Sequence, residues 1–145
     1  MERLGLPSPS VRGPRARGIA AVELALLLLI LFPLVFGLIE YSWMFLKSQE
    51  ISGAARDAAR IAATESGTNA LVDARITQAM TAANLAGSGY SVVTLPSNVA
   101  SAPPGTQVQV TISVTYKNIS LTGLEKLFPV PTVLQGSTSM VKEGP

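Results

Sequence analysis

Cysteine and histidine are both missing from this chain of 145 residues, and charged residues make up only 14% of it. Without cysteine there is no disulfide, which is compatible with an oxidising exterior but does not demand one. Without either residue, the common soft metal ligands and the commonest general base are gone. The acids do not compensate. Glu65, Asp73 and Glu125 are scattered among separate segments, with no paired-carboxylate motif. No histidine can activate a serine or threonine, and a Ser–Lys dyad would need Lys117, Lys126 or Lys142 brought to it by the fold. The Gly87-Ser88-Gly89 turn lacks the lysine and the helix start of a phosphate loop. The residues therefore predict no enzyme, no cofactor, no metal and no small-molecule substrate. Nor is there a basic surface for nucleic acid, because the formal charge of +2 owes its sign to the first few residues.

Apolar residues are plentiful at 48%, and they are unevenly spread. Between Arg17 and Glu40 lie 22 residues with Glu23 as their single charge. At 1.5 Å per residue, Ile19 to Ile39 makes a helix of roughly 31 Å, enough to cross a hydrocarbon core of about 30 Å. A domain this small could not surround such a helix as a core element. Arg3, Arg12, Arg15 and Arg17 precede the span and are opposed only by Glu2, so the positive-inside bias predicts a cytoplasmic N-terminus and an extracytoplasmic remainder. Tyr41, Trp43 and Phe45 sit where an aromatic belt meets the outer interface, so the membrane helix with its interfacial end is placed at 19–46. A cleaved secretory signal shares the charged start and apolar run, but it needs a small-x-small site just beyond them. Here the run passes into Glu40-Tyr41-Ser42-Trp43-Met44-Phe45, which is bulky, so the helix is expected to stay attached.

Glu23 stands out because a carboxylate inside a membrane helix costs about 2.5–3.5 kcal/mol on insertion scales. The plainer alternative is a side chain solvated by headgroups near the span's edge. The surrounding run, Arg15-Ala16-Arg17-Gly18-Ile19-Ala20-Ala21-Val22-Glu23-Leu24, resembles a class III signal, the prepilin leader. In that pattern prepilin peptidase cuts after the glycine, here between Gly18 and Ile19, and glutamate is the fifth mature residue, as Glu23 is. Further on, Phe32-Pro33, Phe36-Gly37, Glu40 and the run Ala54-Ala55-Arg56-Asp57-Ala58-Ala59-Arg60 resemble the TadE-like family. These are minor pilins or pseudopilins of tight-adherence (Flp-type) pilus systems. The match is good over the first 60 or so residues and looser over Gly136 to Glu143. One departure is Leu24, where the family often has an aromatic residue.

The resemblance implies a structural component in the bacterial inner membrane, single-pass, which can enter a surface pilus. Its expected partners are prepilin peptidase, other pilin or pseudopilin subunits, pilus assembly proteins and the lipid bilayer. It also implies that Glu23 serves subunit assembly by receiving a neighbour's terminal amine. The alternative is an uncut, membrane-anchored accessory or binding protein of the cell envelope. Within the span, Pro33 cannot donate to the carbonyl of Leu29, so a kink or local unwinding is expected there.

Three segments follow: a basic leader at 1–18, the membrane helix at 19–46 and an extracytoplasmic domain at 47–145. Ile51, Ala54, Ala55, Ala58, Ile61 and Ala62 fall on one face of a stalk helix, with Arg56, Asp57 and Arg60 off it. Gly67 ends that helix, and Thr68 or Asn69 caps a second whose face is Val72, Ile76, Ala79, Met80 and Ala83, ending near Gly87. Tyr90 to Leu95 reads as a short strand. Val108, Val110, Ile112, Val114 and Tyr116 alternate strictly with polar residues, the clearest strand signal in the chain. Thr122 with Glu125 suggests a capping box for a brief helix before Pro129, and Leu134 to Lys142 reads as the last strand. The fold class is α+β, with an antiparallel sheet of about three strands packed on the stalk.

Overall fold

The computed structural model describes residues 14–123 and 129–144, with side chains from Gly18 onward. Two α-helices and three strands follow in the order α1 (Pro14–Ala63), α2 (Asn69–Ala82), β1 (Ser91–Leu95), β2 (Gln107–Thr115) and β3 (Val133–Val141). The α+β expectation holds. The brief helix expected between Thr122 and Pro129 falls on 124–128, outside the described residues, as do leader residues 1–13. The chain divides into two compact units, residues 1–36 and 37–145.

The apolar run and the stalk residues belong to one helix. Helix α1 starts at Pro14, where proline's fixed φ suits the first helical turn, and its helical backbone runs unbroken through Pro33 to Ala63. In the first unit its apolar side chains are bare. Ile19, Leu29 and Ile30 are each 71% exposed, and no residue of the most apolar 18-residue window is buried. A soluble core helix would be mostly covered. Leaving such side chains in water costs about 1.5–3 kcal/mol each, so this surface calls for lipid or for other helices. It is a candidate membrane span.

The second unit is built on the alanine face of the same helix. Ile51, Ala54, Ala55, Ala58, Ala59 and Ala62 are buried together with Val72, Ile76 and Met80 of α2 and the inward residues of β2. Ile61, expected on this face, is only partly buried, and Ala59 takes its place in the core. The face is wider than a single stripe because α1 is covered by both α2 and the sheet. Thr68 caps α2, its Oγ1 accepting from the Leu71 backbone N–H at 3.3 Å. Asn69 instead ties down the segment after β1, donating to the Ser97 carbonyl at 2.6 Å and accepting from the Val99 N–H at 2.9 Å. Helix α2 stops at Ala82, short of Gly87, because Asn84 turns into the left-handed region at φ 55°.

The sheet is antiparallel with β2 in the middle. Its alternation is as the sequence implies: Val108, Val110, Ile112 and Val114 are at most 1% exposed, as is Tyr116 just past the strand. The other face is wet. There Gln109 donates to Ser137 at 2.9 Å, and the hydroxyls of Thr111 and Ser137 meet at the same distance. Opposite Ile112 stands Gly136, where β3 comes closest to α1. A Cβ there would lie 2.8 Å from the Ile51 carbonyl oxygen and from the Ser52 backbone, so only glycine fits.

Candidate functional site

Two stretches of α1 carry the unusual chemistry. The first holds the residues singled out from the sequence. Gly18, Ile19, Val22, Glu23 and Leu26 line one shallow, mostly apolar groove on the helix. A Cβ on Gly18 would meet nothing, and its φ is not one that needs glycine, so the fold does not require this residue. Glu23 lies one helical turn beyond Ile19. It is exposed, and among the described residues it makes no ion pair or side-chain hydrogen bond. A carboxylate in an apolar membrane segment is costly unless a charged or polar group meets it.

The second stretch begins at Glu40, one residue past the apolar span and inside the second unit. In the fold Glu40 is fully buried. Its Oε1 accepts from the Tyr116 hydroxyl at 2.5 Å and the Ser120 hydroxyl at 2.8 Å. Its Oε2 accepts from the Thr122 hydroxyl at 2.6 Å and the Thr122 backbone N–H at 3.0 Å. These four bonds satisfy the lone pairs of the buried carboxylate. Beside it, the Trp43 indole donates to the Ile119 carbonyl at 2.7 Å and the Tyr41 hydroxyl donates to that of Pro129 at 3.0 Å. The chain after β2 is thus laced to α1 at Glu40–Trp43.

Two buried lysines close the helix ends. Lys47 donates to the Ala83 carbonyl at the end of α2 at 2.6 Å, pairs with Glu50 at 2.8 Å, and lies 4.5 Å from the centre of the Trp43 ring. Lys142 donates to the carbonyls of Thr64 at 2.7 Å and Ala62 at 3.3 Å, at the end of α1. Cations there satisfy orphan carbonyls and oppose the negative end of the helix dipole. Lys142 is thereby engaged as a cap. Asp57 and Arg75 join the two helices at 2.6 Å, but both are about 40% exposed, so the pair contributes at most about 1 kcal/mol. Arg56 and Arg60 face solvent. Among the described residues no cluster of acids could hold a metal ion.

The region holding these features is matched by one protein family. Residues 18–60 match the family model described as TadE-like protein. The chain carries a TadE-like region, as the resemblance implied. The match begins at Gly18, includes Ile19, Glu23, Pro33, Glu40 and Lys47, and ends at Arg60, all within α1. Searches of the curated proteins and of the solved structures found no match to the chain. The TadE-like region thus indicates a pilus-associated, pilin-like component with a candidate membrane helix.

Proposed function

We propose that this protein is a minor pilin or pseudopilin of a tight-adherence (Flp-type) pilus system. It is held in the bacterial inner membrane by α1, with its N-terminus in the cytoplasm and its α+β domain outside. The observation that carries this reading is Glu23, exposed in an uncovered apolar helix and without a partner among the described residues, at the fifth position after Gly18 in a TadE-like region. That Gly18 is dispensable to the fold supports a role for it in processing.

The chemistry runs as follows. Prepilin peptidase cuts between Gly18 and Ile19, freeing an α-amino group whose unperturbed pKa of about 8 leaves it charged. Glu23 lies about 6 Å deeper along the helix, so a neighbouring subunit shifted along the axis can bring its amine to that carboxylate. At an effective dielectric near 20 the pair gains about 4 kcal/mol at 4 Å, similar to the insertion cost of the charge. Such a pair sets the register between subunits and adds little net stability. Pro33, which frees the Leu29 carbonyl, supplies a point at which the helix can bend to pack in a filament.

N-terminal sequencing of protein from a host with active prepilin peptidase tests the proposal. The first residue should be Ile19, and it should be Met1 in a host lacking the peptidase. Retention of Met1 alongside demonstrated peptidase activity would overturn it in favour of the uncut envelope anchor.

A further inference from the structure

The lacing of the post-β2 chain to α1 has a consequence for the membrane. Ser120 and Thr122 both donate to Glu40, and Ile119 accepts from Trp43. Leu121, between them, is therefore fixed at the height of Glu40–Trp43 on the helix. Its side chain is 53% exposed. It shares an apolar groove with Leu38, Ile39, Trp43 and Leu46, of which Leu38 is 66% and Leu46 48% exposed. The opposite end of the covered helix, at Ala63, is about 35 Å away along its axis.

We infer that Leu121, with Leu38, Ile39 and Leu46, forms a foot by which the outer domain sits in the outer interface of the bilayer. The inference rests on the proposed membrane span, and lipid is its occupant for two reasons. The groove begins at the last residues of that span, on the same helix, so it lies at the depth where the hydrocarbon ends. Its lining includes Trp43, an amphipathic ring of the kind enriched at headgroup level, whose indole N–H is satisfied within the domain by the Ile119 carbonyl. The foot would fix the domain's height and its rotation about α1, which a single helix crossing the bilayer leaves free.

The absence of cysteine makes the test clean. Single variants Leu121→Cys, Leu29→Cys and Ser66→Cys of the full chain are labelled with a polarity-sensitive nitrobenzoxadiazole fluorophore. They are then reconstituted in phosphatidylethanolamine–phosphatidylglycerol liposomes with nitroxide lipids, the spin label high or deep on the acyl chain. All three positions are exposed, so labelling leaves the core intact. The label at Leu121 should be blue-shifted and quenched most by the high nitroxide, that at Leu29 by the deep one, and that at Ser66 by neither. Quenching at Leu29 without quenching at Leu121 overturns the foot and leaves the span standing. A blue-shifted but unquenched Leu121 label gives the groove to a protein surface, such as a second copy, and also overturns it. Quenching at Ser66 would mean a domain lying flat on lipid, which is equally fatal to a local foot. No quenching at Leu29 removes the span, and the foot with it.

Discussion

Glu23 and Glu40 are carried by the same helix and have opposite fates. Glu40 is fully buried and accepts four hydrogen bonds from its own chain; Glu23 is exposed among leucines and accepts none among the described residues. The helix around them differs in the same sense. Around Glu23 the apolar surface is bare, whereas beyond Gly37 one face of α1 is covered by α2 and the sheet. The contrast separates a carboxylate satisfied within the domain from one that meets no partner among the described residues. Substitutions in the covered half should cost stability, and those in the bare half should cost only assembly.

The largest loss should come from Ile112→Asp, which puts an unpaired charge between the sheet and α1. A cost above about 4 kcal/mol is expected, enough to abolish the cooperative urea transition. Thr111→Asp, next door on the wet face, should cost about 0.5 kcal/mol. Equal losses from both would break the division into dry and wet faces.

Glu40→Ala removes the carboxylate that accepts from Tyr116, Ser120 and Thr122, and should cost about 3 kcal/mol in thermal unfolding.

Gly136→Ala should cost about 1–3 kcal/mol, because the new methyl group meets backbone atoms that cannot move aside. A melting temperature unchanged within error would show that β3 can lift off α1 at no cost.

Smallest in stability should be Glu23→Gln, with no measurable change in the unfolding of the outer domain. Its effect belongs to assembly. The processed protein should accumulate in the inner membrane while surface pili decline, since an amide pairs weakly with a neighbour's amine. Normal pilus numbers with full processing would defeat the pairing mechanism and leave the TadE-like region in place.

What could be read from the chain divides along the same line. Strand β2 was legible because strict alternation is local, and so was the bare span, a continuous run. Gly18 and Glu23 stand close together at a boundary of composition, so their spacing is visible in the sequence. The burial of Glu40 is not legible locally because its donors come about eighty residues later, between Tyr116 and Thr122. The contact of the Thr122 hydroxyl with Glu40 is equally invisible locally, because it joins residues 82 positions apart. Lys47 and Lys142 were equally opaque, since the carbonyls they close belong to distant helix ends. A charged residue bordering an apolar run, followed much later by a Tyr-x-x-x-Ser-x-Thr stretch, is the only trace of the clamp in the sequence.

The clamp at Glu40 and the cap at Lys142 also have a mechanical side. They grip the covered half of α1 at its two ends, about 33 Å apart along the helix. A helix held at both ends cannot slide or turn beneath its sheet unless both grips fail together. A load drawn along α1, such as withdrawal of its bare half from lipid into a filament, would reach both grips in parallel. It would travel as rigid-body motion of the outer domain, with the strands spared from being peeled apart.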